Sequence, residues 1–95
     1  MPTGSTIVAE GDLAHEFYLL LDGEACVERA GRTVAMLGPG DFFGEVALLT
    51  RSRRTATVTT TAPSRVLVVD EDTFRERLGD AEFSSQVWAA AAARI

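Results

Sequence analysis

The stretch Phe43-Gly44-Glu45-Val46-Ala47-Leu48-Leu49-Thr50-Arg51-Ser52-Arg53-Arg54-Thr55-Ala56-Thr57-Val58 decides the reading of this chain. It opens on a glycine-marked turn, continues through a short apolar segment with helical character, and ends in a threonine-rich strand. Glu45 stands near its start and Arg54 next to its strand. A turn with free backbone N–H groups, followed by an arginine, suits a phosphate, because both kinds of donor stabilise an anion. A carboxylate repels a phosphate but accepts a hydrogen bond from a sugar hydroxyl. Together these residues predict a site that holds a ribose and a phosphate side by side.

Outward from this stretch, short strands alternate with tight turns. Thr6 to Ala9 is a β-branched strand, followed by the turn Glu10-Gly11-Asp12. Phe17 to Leu21 is a continuous apolar run, too short for a helix and bounded by turns, and reads as a strand. Asp22-Gly23 is a two-residue hairpin signal. Glu24 to Arg29 alternates, with Ala25 and Val27 on one face and Cys26 and Glu28 on the other. Ala30-Gly31 is a second tight turn, and Arg32 to Leu37 the next strand. Gly38-Pro39-Gly40-Asp41 breaks it. Thr55 to Thr61 is rich in β-branched residues, Ala62-Pro63-Ser64 turns the chain, and Arg65 to Val69 is the last strand.

The pattern then becomes helical. Asp70 to Thr73 supplies acids and an N-cap for a helix through Phe74 to Leu78. Gly79 ends it, and Asp80 caps a second helix over about 81–94, with Phe83, Val87, Trp88 and Ala91 on one side. Met1 to Ser5 reads as a frayed start. The expected fold is mainly β, an antiparallel β-roll or jelly roll over about 6–70 with a short cassette helix, followed by two C-terminal helices over about 71–95, all in one domain, 1–95.

Composition bounds the function. Ninety-five residues with 46% hydrophobic content suffice for one packed core. The net charge of -5 disfavours nucleic acid or an anionic membrane as a general partner of this chain alone. All nine basic residues are arginine, and Arg51, Arg53 and Arg54 concentrate positive charge locally. The lone Cys26 allows no internal disulfide and reads as a buried inert thiol in a reducing, cytoplasmic setting. No apolar run is long enough for a membrane helix, and no signal-peptide pattern is present. His15 sits in a polar loop and reads as exposed. With no second histidine, neither a metal site nor a histidine dyad is indicated.

Phe43-Gly44-Glu45-x-Ala47-Leu48 followed by Arg54-Thr55-Ala56-Thr57-Val58 closely resembles the phosphate-binding cassette of cyclic nucleotide-binding domains. That family includes protein kinase A regulatory subunits, the catabolite activator protein and cyclic nucleotide-gated channels. The resemblance covers roughly Gly11 to Leu78. It implies a cyclic mononucleotide ligand, cAMP or cGMP, and no cofactor. It puts Arg54 and the backbone N–H groups around Val46, Ala47 and Thr55 to Ala56 on the phosphate. It puts Glu45 on the ribose 2′-hydroxyl, with Gly44 permitting close approach or a positive φ. Thr55 is compatible with either nucleotide, since members with threonine there often bind cGMP and members with alanine generally prefer cAMP. Val27, Ala35 and Leu37 are candidates for the apolar wall against the base, in competition with plain core packing. Trp88 is a candidate lid, with Arg94 and Ile95 no better supported.

The resemblance implies a non-catalytic regulatory sensor that moves its C-terminal helices and controls an output domain in the same or another chain. Three other readings compete. A phosphodiesterase would need a metal cluster or an activated water, and the sequence supplies neither. A degenerate fold acting as a protein-interaction module is disfavoured by the intact Glu45 and Arg54. Gly38-Pro39-Gly40-x-x-x-Gly44 has the wrong spacing for a dinucleotide loop.

Overall fold

Residues 1–77 are described by the computed structural model of this protein. The β-branched and aromatic runs form seven strands among them: β1 (Thr6–Val8), β2 (Glu16–Asp22), β3 (Ala25–Arg29), β4 (Arg32–Leu37), β5 (Phe42–Phe43), β6 (Thr57–Thr60) and β7 (Arg65–Asp70). Helix α1 (Glu45–Thr50) follows β5, and α2 (Glu71–Arg77) follows β7. One sheet has the order β1-β6-β3-β4 and the other β5-β2-β7. Every pairing is antiparallel. The expected β-roll with a short cassette helix and a following helix is therefore present. The second C-terminal helix, over 81–94, and the lid candidates Trp88, Arg94 and Ile95 lie outside the described residues.

β2 explains why its apolar run is largely continuous rather than alternating: both of its faces are buried at Phe17 and Tyr18, and of the run only Leu21, near its end, is exposed. Tyr18 and Leu20 point between the sheets and pack with Val8, Ala25, Leu37, Phe43 and Val58. Phe17 points the other way, into a second cluster with Leu48 of α1 and Phe74 of α2. The rings of Phe17 and Phe74 meet edge to face, with centroids 4.8 Å apart. Burying a side chain the size of Phe74 contributes about 1.5–3 kcal/mol, so α2 is held by its apolar face. The Asp70 carboxylate caps it by accepting the Thr73 N–H at 2.7 Å. Arg75 donates to the Leu48 carbonyl at 2.9 Å and ties α2 to α1.

Four expectations are corrected. Asp22-Gly23 does not close a hairpin: β2 pairs with β5 and β7, and β3 with β4 and β6. The turn is a corner where the chain passes from one sheet to the other, with Ser64 packed against it. A Cβ on Gly23 would lie 2.1 Å from Ser64 Oγ and 2.5 Å from the Pro63 carbonyl oxygen. Second, Phe42-Phe43 is a strand, pairing with Leu19 and Tyr18, where the sequence suggested a turn at Phe43-Gly44 and no strand. Third, the N-terminal residues are not frayed. Gly4 donates to the Thr60 carbonyl at 2.8 Å, Thr60 to the Ser5 carbonyl at 2.9 Å, and Ser64 to the Met1 carbonyl at 2.8 Å. The first two bonds extend the β1–β6 ladder, and the third ties Met1 to the turn before β7. Fourth, Cys26 is half-buried on the outer face of β3, its thiol 3.7 Å from the Glu28 carboxylate. The Ala30-Gly31 turn does close a two-residue hairpin: Arg29 pairs with Arg32, and both turn residues have positive φ, 52° and 78°.

Candidate functional site

Gly44 begins the site. It is the N-cap of α1 with φ 85°, a left-handed conformation that favours glycine. Space demands glycine as well, since a Cβ there would lie 2.7 Å from Arg54 Nη1 and 3.3 Å from Tyr18 Cδ2. This turn aims the first N–H groups of α1 away from any intrahelical acceptor. Glu45, the first residue of α1, is 0% exposed. A carboxylate at that end of a helix is favoured by the backbone dipole.

Arg54 is 7% exposed. Its backbone is fixed to the β1–β2 turn: its N–H donates to the Asp12 carbonyl at 2.8 Å, and its carbonyl accepts from Gly11 at 2.9 Å. Its guanidinium spans two elements, donating from Nη1 to the Gly44 carbonyl and from Nη2 to the Glu16 carbonyl, each at 2.7 Å. It also lies 5.7 Å from the centroid of the Tyr18 ring, within cation–π range. These two bonds use two of the five N–H donors of a guanidinium. Burial of Glu45 and Arg54 excludes a surface ion pair as their role.

A cavity of about 330 Å³ opens between the cassette and the strands. Small-molecule sites start at roughly 300 Å³. Gly44, Glu45, Val46 and Ala47 line one part, Arg54, Thr55 and Ala56 another, and Val27 and Ala35 a third. Leu37 does not line it. It is 3% exposed and packed in the core beside Ala25, its cross-strand partner. Ala35 and Leu37 do share a strand face, but Ala35 sits at the open end of the roll and Leu37 at the closed end. Arg51 and Arg53 are exposed, Arg53 donating to the Gly11 carbonyl at 3.0 Å, and His15 is exposed.

The cavity also takes residues that the sequence reading did not pick: Val8, Arg29, Val34, Phe43 and Val58. Val34 is there because of a bulge. Val27 pairs with Ala35 and Glu28 with Thr33, so Val34 is an extra residue in β4 and turns toward the opening. Arg29 had a readable signal, since it lies two residues beyond Val27 on the same strand face.

The family model "Cyclic nucleotide-binding domain" matches residues 1–80. The chain is similar to the cAMP-dependent protein kinase regulatory subunit of Schizosaccharomyces pombe, 40% identical over 82% of this chain. It spans only 19% of that subunit's length. Among solved structures, it resembles cAMP-bound PfPKA-R with a TM-score of 0.81 and 32% identity, covering 83% of this chain and 28% of that one. It resembles the catabolite activator protein of Thermus thermophilus with a TM-score of 0.84 and 30% identity, covering 99% of this chain and 46% of that one.

Proposed function

The chain belongs to the cyclic nucleotide-binding domain family, and from that premise we propose that it is a single, non-catalytic sensor domain that binds cAMP or cGMP. The observation that supports this most is the pair of buried charges on one cavity, Glu45 at 0% and Arg54 at 7% exposure. The two line one cavity with complementary chemistry, a carboxylate that accepts hydrogen bonds and a guanidinium that donates them. A cyclic nucleotide offers a group to each, an anionic phosphate to Arg54 and a 2′-hydroxyl donor to Glu45. The N–H groups of Val46 and Ala47 add donors on the phosphate side, with Thr55 and Ala56 closing the other. Val27 and Ala35 form part of the apolar wall for the base.

In this reading the domain works in the cytoplasm and controls an output domain in its own chain or another. Nucleotide seated against α1 shifts the position of the C-terminal helices, because it binds one arrangement more tightly than the other.

Calorimetric titration with cAMP and cGMP tests the proposal. Micromolar or tighter binding of at least one is expected. Arg54→Ala should weaken it at least about tenfold, equivalent to about 1.4 kcal/mol. The 2′-deoxy analogue should bind more weakly, by roughly 1–3 kcal/mol, since it removes the hydroxyl that would donate to Glu45. Absence of heat with both nucleotides would overturn the reading.

A further inference from the structure

Two arginines line the cavity, and they differ in one respect. Arg54 is buried and engaged with the Gly44 and Glu16 carbonyls. Arg29 is exposed and makes no hydrogen bond or ion pair among the described residues; Arg32 and Arg51 are alike in this but do not line the cavity, and Arg53, Arg65 and Arg75 are tied to carbonyls or carboxylates. A guanidinium at the rim of a cavity, with its donors uncommitted to the protein, is placed to meet a ligand.

Its place in the fold says which part of the ligand. Arg29 ends β3, on the same face as Val27, and the β3–β6 register runs Val27↔Val58 and Glu28↔Thr57. The next step brings Arg29 beside Ala56. Its other neighbours on the cavity are Val27, Val34 and Ala35, an apolar wall suited to a flat ring. The anion end of the site, by contrast, is formed by Arg54 and the start of α1.

Resting on the cyclic nucleotide reading above, we infer that Arg29 reads the edge of the base and selects a 6-oxopurine, making cGMP the preferred ligand over cAMP. A guanidinium carries five donors and no acceptor. The outer edge of guanine offers two acceptors, O6 and N7, which a guanidinium meets with two parallel bonds. Adenine offers N7 but sets the donor N6–H₂ where O6 would be, so donor faces donor.

The test is calorimetry on the wild type, Arg29→Ala and Arg29→Lys with three ligands: cGMP, cAMP and cIMP. The inosine analogue keeps O6 and N7 but lacks the 2-amino group, which separates Arg29 from any contact that Thr55 makes to that amine. The wild type is expected to bind cGMP and cIMP at least about tenfold more tightly than cAMP. Arg29→Ala should abolish that preference by weakening cGMP and cIMP while leaving cAMP within about threefold, and its retained cAMP binding also reports an intact site. Arg29→Lys should lose the preference too, because a compact ammonium keeps the charge but not the planar fork. Equal losses for all three ligands, restoration of the preference by lysine, or wild-type cIMP binding that matches cAMP would each overturn the assignment. Failure of all three ligands to bind the wild type would instead remove the reading on which it rests.

Discussion

Tyr18 is where the chemistry of the site touches the core. Its ring stacks on Phe43 with centroids 5.1 Å apart, and its hydroxyl donates to the Glu16 carboxylate at 2.7 Å. Burial, and then the Glu16 carboxylate beside it, push its pKa from 10.0 up to about 12, with Arg54 acting in the opposite direction. The folded state therefore holds this proton more tightly than the unfolded chain. The resulting stability is fully present below pH 10 and is lost as pH rises from there toward about 12. Tyr18 is the one tyrosine of the sequence, so phenolate absorbance reports it alone. A native titration midpoint near 12, falling to near 10 in denaturant, is the expected result; a native midpoint at 10 would refute it. None of this was readable from the sequence, where Tyr18 was one letter of an apolar run. Gly44, Glu45 and Arg54 were readable because a glycine turn, a helix start and an arginine ahead of a threonine-rich strand fall within one short stretch. Leu37 and Ala35 were indistinguishable for the opposite reason: alternation reports the face of a strand and not the depth along it.

Among the elements, what the sequence revealed was what neighbours in the chain determine. Ala30-Gly31 is a hairpin turn whose conformation depends on its own two residues. Asp22-Gly23 carries the same kind of signal, yet its geometry is set by Ser64, far along the chain. Strand β5 is two residues long, too short to have a period, and exists because β2 offers it a partner. The bulge at Val34 is likewise a product of pairing. The two glycine turns give a direct comparison. Gly23 and Gly31 both have positive φ, 95° and 78°. Alanine at either should lose about 1–2 kcal/mol from the left-handed backbone. Nothing lies within 4 Å of a Cβ at Gly31, whereas at Gly23 the obstacles include the backbone of Pro63 and Ser64. Gly23→Ala should therefore lose a further 1–3 kcal/mol or so from overpacking at the sheet corner. Urea unfolding of both variants checks this. Equal midpoints would mean that the β2–β3 corner yields freely and that Ser64 does not set its shape.

Across the whole molecule, the cavity and α2 are linked through one short helix. α1 starts at Glu45 on the cavity and places Leu48, 1% exposed, against Phe17 and Phe74. The Arg75 bond to the Leu48 carbonyl adds a polar tie at the same junction. If nucleotide fixes α1, as the proposed function requires, then α2 is the first element to feel it. The prediction is that saturating nucleotide slows amide hydrogen exchange in α1 and in α2 together. Phe74→Leu combined with Arg75→Gln keeps an apolar side chain in the cluster, at a cost of about 1 kcal/mol, while removing the edge-to-face ring contact and the tie to Leu48. In that variant, nucleotide should still protect α1 but should no longer protect α2. Wild-type α2 exchange that ignores saturating nucleotide would refute the link itself. Protection of α2 that survives in the double variant would place the coupling elsewhere, through the β2–β7 pairing that leads into α2. A ligand can move an equilibrium only by its difference in affinity for the two arrangements. The same experiment therefore bounds the signal: the free energy by which nucleotide stabilises α2 against opening equals its preference for the arrangement with α2 docked over the one with α2 open.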